Sequence, residues 1–168
     1  MLDWDGVKGL KESLGKNGVT SNYSYKHAPY TWELVKGLKK GRAIFTQPPM
    51  PIKCAGAPQK ALYLSADHWY RNGALKDISI DFYNAGAVLF GVAAYVPALQ
   101  SYIDKYRAKL HFKYTLVEVD GESKRAYFKS SDPASEGEVI CEEFDMLHVC
   151  PPQKAPDFVA KSILADAA

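Results

Sequence analysis

Pro48, Pro49 and Pro51 restrict this chain more than any other residues. Each fixes φ and lacks a backbone donor. Gln47-Pro48-Pro49-Met50-Pro51 can therefore enter neither a helix interior nor a central sheet ladder. Regular structure must stop near residue 47 and restart beyond the block. Before it, Arg42-Ala43-Ile44-Phe45-Thr46 reads as a strand. After it, Ile52 to Ala57 completes a loop, and Pro58 suits the first turn of a helix. That helix is expected to reach about Asn72, with Leu62, Ala66, Trp69 and Tyr70 on one face and Gly73 as its cap.

The same order then recurs. Ile78 to Tyr83 alternates as a strand, and Asn84-Ala85-Gly86 turns the chain. A second helix begins near Val96, with Val96, Leu99, Ile103, Tyr106 and Leu110 at spacings of three and four. Leu110 to Val119 is strand-like, Asp120-Gly121 marks a turn, and Arg125 to Lys129 returns as its partner. Val139-Ile140 begins a short strand, and Met146 to Cys150 forms another that ends at Pro151-Pro152. Residues 1–30 read as a polar, glycine-punctuated connector. Thr31 caps a short helix through Lys40, which Gly41 stops. Ser162 to Ala168 is weakly patterned.

Alternation of this kind predicts an α/β fold: a parallel sheet with right-handed crossover helices, plus an antiparallel meander. The expected organisation is a connector and short helix over 1–41, a central nucleotide-binding-like domain over 42–152, and a further segment over 153–168. Ligands on such sheets bind outside the carboxyl ends of the strands. The Cys54 loop lies at one such end, and Cys150-Pro151-Pro152 at another.

Composition narrows the function classes. A net charge of +2 is too small to imply nucleic acid or a charged membrane surface. No run of eighteen apolar residues could span a bilayer. The first residues lack the apolar stretch of a signal peptide. Three irregularly spaced cysteines argue against a disulfide-stapled fold.

Cys54 is the principal candidate site residue. A free cysteine is often a small buried hydrophobe. Here it sits in neither a strand run nor an apolar helix face. Lys53 is adjacent, Lys60 lies about one turn into the helix, and the helix N-terminus adds partial positive charge. Each favours a thiolate, the nucleophilic and redox-active form. Cys141 and Cys150 lack such surroundings, and no paired set of four ligands suggests a metal site. His27, His68 and His111 are scattered and read as surface or boundary residues. Asp81, Asp120, Glu142 and Glu143 read as solvated carboxylates or turn formers.

Dinucleotide binding wants Gly-x-Gly-x-x-Gly after a strand, so that backbone can approach a pyrophosphate. The first turn offers only Gly56, with Pro58 where a donor is needed. The second reads Gly86-Ala87-Val88-Leu89-Phe90-Gly91, lacking the middle glycine and placing Leu89 and Phe90 in the way. A nucleotide-binding topology without a working NAD site is the expectation.

Thr46 through Leu64 contains Lys-Cys-Ala-Gly-Ala-Pro-Gln-Lys and closely resembles the redox-cysteine segment of sulfide:quinone oxidoreductases. Ser21-Asn22-Tyr23-Ser24, Gly86 to Val92, and Met146 to Val149 with Pro151-Pro152 extend the resemblance along nearly the whole chain. The resemblance implies a Rossmann-like FAD/NAD(P)-binding fold that keeps the nicotinamide-domain architecture without using NAD. It implies FAD as cofactor, hydrosulfide and quinone as substrates, and an acceptor thiol for the sulfane sulfur. It also implies association with a bacterial cytoplasmic or mitochondrial inner membrane. By position, Cys54 resembles the flavin-side redox cysteine, Lys60 a residue contacting FAD, and Pro152 part of a turn approaching the flavin. Cys141 and Cys150 match no redox position.

The FAD-binding glycine motif, a second redox cysteine and a membrane-anchoring C-terminal region are expected outside this sequence. The chain then resembles a central fragment, inactive alone. Two other readings remain open: a non-catalytic dinucleotide-fold binding module, and an NADH-dependent disulfide reductase domain.

Overall fold

A computed structural model describes residues 1–165; of the weakly patterned tail, 166–168 lie outside the described residues. Among the described residues there are eight strands. Val19–Thr20 (β1), Gly41–Gln47 (β2), Ile78–Asn84 (β3), Lys109–Phe112 (β4) and Met146–His148 (β8) form one sheet. Its order is β1-β8-β2-β3-β4, and every pairing is parallel. Tyr114–Asp120 (β5), Arg125–Ser130 (β6) and Val139–Glu143 (β7) form an antiparallel meander. The helices are Leu10–Ser13 (α1), Ala28–Gly37 (α2), Ala57–Arg71 (α3), Val96–Tyr106 (α4) and Asp157–Ala160 (α5). The α/β expectation holds in each part: parallel sheet, crossover helices and meander.

Buried side chains form two clusters. One face of the parallel sheet presents Ala43, Phe45, Ile80, Phe82 and Met146 to Val35 of α2, Leu62, Ala66 and Trp69 of α3, and Ile103 and Tyr106 of α4. The other face presents Ile44, Tyr83 and Leu147 to Leu116, Val119, Ala126 and Phe128 of the meander. The alternation Ala43/Ile44/Phe45 is the period-two rule at work: neighbours along one strand feed opposite layers. Both faces are covered, which is why β2 and β3 are buried over most of their length. The indole Nε1–H of Trp69 also donates to the Val35 carbonyl across 2.8 Å, tying α3 to α2.

Several expectations need correcting. Residues 1–30 are more than a polar connector. Val7, Leu10 and Val19 are buried in the second cluster, and Val19–Thr20 pairs with Leu147–His148 as the sheet edge. Leu110 to Val119 is two strands in two sheets, broken at Lys113, which adopts φ 63°. The hydrophobic pattern runs through the break because each half faces a core. Gly41 opens β2 instead of ending α2. Its φ is 114°, and an added Cβ would sit 2.0 Å from Asp145 Oδ2. Tyr70 is largely exposed, unlike its expected neighbours Leu62, Ala66 and Trp69.

The charged residues of the sheet also differ from expectation. Asp81 is buried and is neither solvated nor a turn former. Arg42 Nε and His111 Nε2 approach its two oxygens at 2.8 and 2.7 Å. Arg42 also pairs with Glu142 of the meander. His111 stacks on Tyr83 with centroids 4.2 Å apart, and Tyr83 stacks on Phe128 at 3.9 Å. Burial alone would raise the Asp81 carboxyl. The hydrogen bonds from His111 and Arg42 outweigh it and hold the group well below the usual carboxylate range.

Candidate functional site

The carboxyl ends of β1, β8 and β2 lie side by side because these strands are parallel neighbours. The chain leaves them at Ser21, Val149 and Pro48. These exits bring Tyr23, Cys150 and the Cys54 loop to one end of the sheet.

The loop leaves β2 at Gln47 and runs through Pro48, Pro49 and the cis peptide Met50-Pro51 to the start of α3. It contains Cys54, which is exposed. The Cys54 carbonyl accepts the Ala57 N–H at 3.1 Å, and the Gly56 carbonyl accepts the Lys60 N–H at 3.0 Å. Gly56 is the N-cap, and Pro58 lies in the first turn, where its missing N–H costs nothing. The Cys54 sulfur leans back over this cap: a Cβ built on Gly56 would stand 3.9 Å from it. The expected proximity of the thiol to the positive end of α3 is therefore present. Lys53 and Lys60 are both exposed.

The second exit is Val149-Cys150-Pro151-Pro152. The Cys150 N–H donates to Thr46 Oγ1 of β2 at 3.1 Å, and its thiol is buried. Burial pushes that thiol up to about 12. The neighbouring Cys54 adds to the effect, while Tyr23 and Gln153 oppose it. Such a thiol is inert at neutral pH. Pro152 is half-buried, and its carbonyl accepts the Asp3 N–H at 2.8 Å. Leu2 and Gln153 form an antiparallel bridge beyond it. From this clamped segment, Gln153 Oε1 accepts the Lys53 N–H at 2.7 Å. The structure thus joins the Cys54 loop to the Pro152 turn through a residue that sequence reasoning passed over.

The third exit brings Tyr23. Its hydroxyl is buried without a hydrogen-bond partner, as are Gln47 Oε1 and Gln153 Nε2. Burial, with the Cys150 and Cys54 thiols close by, pushes the Tyr23 hydroxyl well above its ordinary value. His148, the last residue of β8, is fully buried and stacked on Phe45 at 5.8 Å. Its Nε2 accepts the Asn22 N–H at 3.1 Å, so the neutral ring carries its proton on Nδ1. Burial pushes its pKa down to about 4.

The glycine turn after β3 is filled by protein. Leu89 is buried in the core. Its carbonyl accepts the Gln59 side-chain amide at 2.6 Å. Neither Gly86 nor Gly91 has positive φ. Gln59 is itself buried and also accepts the Tyr63 hydroxyl at 3.0 Å. No group of three or more His, Cys, Asp or Glu side chains could hold a metal ion among the described residues. No helix among them is long and apolar enough to cross a membrane.

No family model matches the chain. Among curated proteins, it is 44% identical over 168 residues to "Sulfide:quinone oxidoreductase, mitochondrial" of Dictyostelium discoideum. It is 40% identical over 167 residues to the protein of the same name in Mus musculus. Each match covers 99% of this chain but only 36% and 37% of the relative. The chain therefore spans little more than a third of these relatives' length. Among solved structures, a chain of the Tetrahymena thermophila mitochondrial ATP synthase superposes with a TM-score of 0.77 at 17% identity, covering 99% of this chain and 42% of that one. The sulfide:quinone oxidoreductase of Aquifex aeolicus superposes with a TM-score of 0.73 at 15% identity, covering 95% and 36%. At those identities the two structures establish the fold alone. The curated relatives establish more: the chain resembles sulfide:quinone oxidoreductases along its full length.

Proposed function

We propose that this chain is the sulfide-reacting segment of a sulfide:quinone oxidoreductase, with Cys54 as the residue that carries sulfur. The observation that supports this most is the setting of Cys54. It is exposed in a loop at the carboxyl end of a parallel sheet, with its sulfur over the cap of α3, inside a chain that is 44% and 40% identical to the two curated relatives along its length.

Hydrosulfide arrives as an anion, and Lys53 and Lys60 give this end of the molecule a favourable charge. Oxidation removes a proton and two electrons from HS⁻ and leaves its sulfur bonded to Cys54 Sγ as a persulfide. An acceptor thiolate then attacks the outer sulfur, and the Cys54 thiolate leaves. The helix N-terminus stabilises that leaving thiolate, as it would any anion at its cap.

The residues present fit a flavin meeting this surface from outside. Cys54 and Lys60 are exposed on it, while Leu89, in the glycine turn after β3, is packed into the core. When bound, FAD would supply the electron acceptor for sulfide and pass the pair to a quinone. Lys60 would present a cation to it, and Pro152 would bear on it from the neighbouring turn. The relatives' mitochondrial names favour a mitochondrial membrane as the place where quinone is met.

The test is trapping. Protein carrying this segment is supplied with sulfide and quinone, quenched with an alkylating agent and digested. The Cys54 peptide should gain the mass of one sulfur atom, and the Cys141 and Cys150 peptides should not. Sulfur on Cys150 with none on Cys54 would reverse the assignment.

A further inference from the structure

Residues 48–56 are nearly free of hydrogen bonds. Pro48, Pro49 and Pro51 have no N–H to give. The Cys54 and Gly56 carbonyls bond only to the start of α3. Among the described residues, one hydrogen bond joins this loop to anything beyond α3: Lys53 N–H to Gln153 Oε1, at 2.7 Å and across 100 residues of sequence.

Gln153 is well placed to act as an anchor. Its backbone neighbours are held on both sides. Cys150 N–H is fixed to Thr46, Asp3 N–H bonds the Pro152 carbonyl, and Lys154 N–H bonds the Met1 carbonyl at 3.0 Å. Lys154 Nζ further pairs with Asp3 at 3.0 Å. The other end of the Gln153 side chain, Nε2, is buried with no partner. An unpaired buried donor is unfavourable, and an apolar side chain would avoid it. Its oxygen holds Lys53, and its amide end lies by the Tyr23 hydroxyl and the Cys150 thiol.

We propose that Gln153 is the positioning residue for Cys54, holding the preceding peptide so that the thiol stays over the cap of α3. The proposal rests on the reading of Cys54 as the reacting thiol. With Lys53 released, Cys54 is held only from its C-terminal side, and its sulfur can swing away from the N-terminus of α3.

The sign of the effect separates positioning from simple structural damage. Unfolding exposes the buried Cys150 and speeds its alkylation. Loss of positioning slows Cys54 alone. The experiment is alkylation of the chain by iodoacetamide at fixed pH, read by peptide mass spectrometry, with exposed Cys141 as internal reference and buried Cys150 as the folding monitor. Gln153→Leu should lower the Cys54-to-Cys141 rate ratio threefold or more while Cys150 stays protected. Gln153→Ala, which also removes the acceptor, should do the same and serves if the leucine variant does not fold. An unchanged or increased ratio would overturn the proposal. The assay contains no sulfide, flavin or quinone, so its failure is distinct from failure of the oxidoreductase reading.

Discussion

Gln59 and Leu89 are joined across 2.6 Å by a hydrogen bond from the Gln59 side-chain amide to the Leu89 carbonyl. This contact fastens the first turn of α3, just behind Cys54, to the loop that follows β3. Gln59→Leu would leave the Leu89 carbonyl and the Tyr63 hydroxyl without this partner. The expected cost is about 1–3 kcal/mol, measured by denaturant unfolding. Leu89→Ala should cost about 2–4 kcal/mol, because the side chain is buried in the core.

Asp81 holds the parallel sheet to the meander through Arg42, which reaches Glu142. Asp81→Ala leaves Arg42 and His111 without their shared carboxylate, and should cost about 3 kcal/mol. The pH dependence has a definite sign. The folded carboxyl titrates below its unfolded value, so the contribution is fully present above about pH 3.9. It is lost progressively as pH falls below that value. Acid unfolding followed by circular dichroism should show a shallower pH dependence in Asp81→Ala than in the parent.

His148 predicts a second acid sensitivity at higher pH. Its folded pKa of about 4 lies below the unfolded value of about 6.5. Its contribution is complete above pH 6.5 and lost as pH falls toward 4. The accumulated loss is about 3 kcal/mol. In His148→Gln the change in stability between pH 7 and about pH 4.5 should shrink by roughly that amount, whatever the variant's stability at neutral pH.

The cysteines should separate cleanly by reactivity. Cys54 and Cys141 are exposed, and Cys150 is buried with its thiol pushed up to about 12. Near pH 8, Cys150 should react at least ~10³-fold more slowly than an ordinary thiol, on thiolate fraction alone. It should become labelled only in denaturant. Fast native labelling of Cys150 would contradict the packing described for this end of the sheet.

Local chemistry made much of this legible in the sequence. The proline block had to be a loop, and apolar residues at helical spacing placed α3 within a residue or two and the start of α4 at Val96, although the stripe ran on to Leu110, which lies in β4. Other parts depended on partners the chain meets only after folding. The β4–β5 break at Lys113 is hidden because both flanking strands are half-apolar. The second core takes Val7, Leu10 and Val19 from a polar, glycine-rich stretch with no period. Asp81 and Glu142 gave no local sign that Arg42 would pair with both, nor His111 that it would meet Asp81. In the site, Cys54 stood out through its lysine neighbours and helix cap. Gln153 did not, since a glutamine after two prolines carries no signal until the loop 100 residues earlier is folded against it.

The central claim is that Cys54 carries the sulfur chemistry. The most direct measurement is sulfide-dependent quinone reduction by the flavin-loaded protein carrying this segment, comparing the parent with Cys54→Ser at equal flavin content. The predicted result is loss of sulfide oxidation with FAD retained. Undiminished turnover in Cys54→Ser would contradict it.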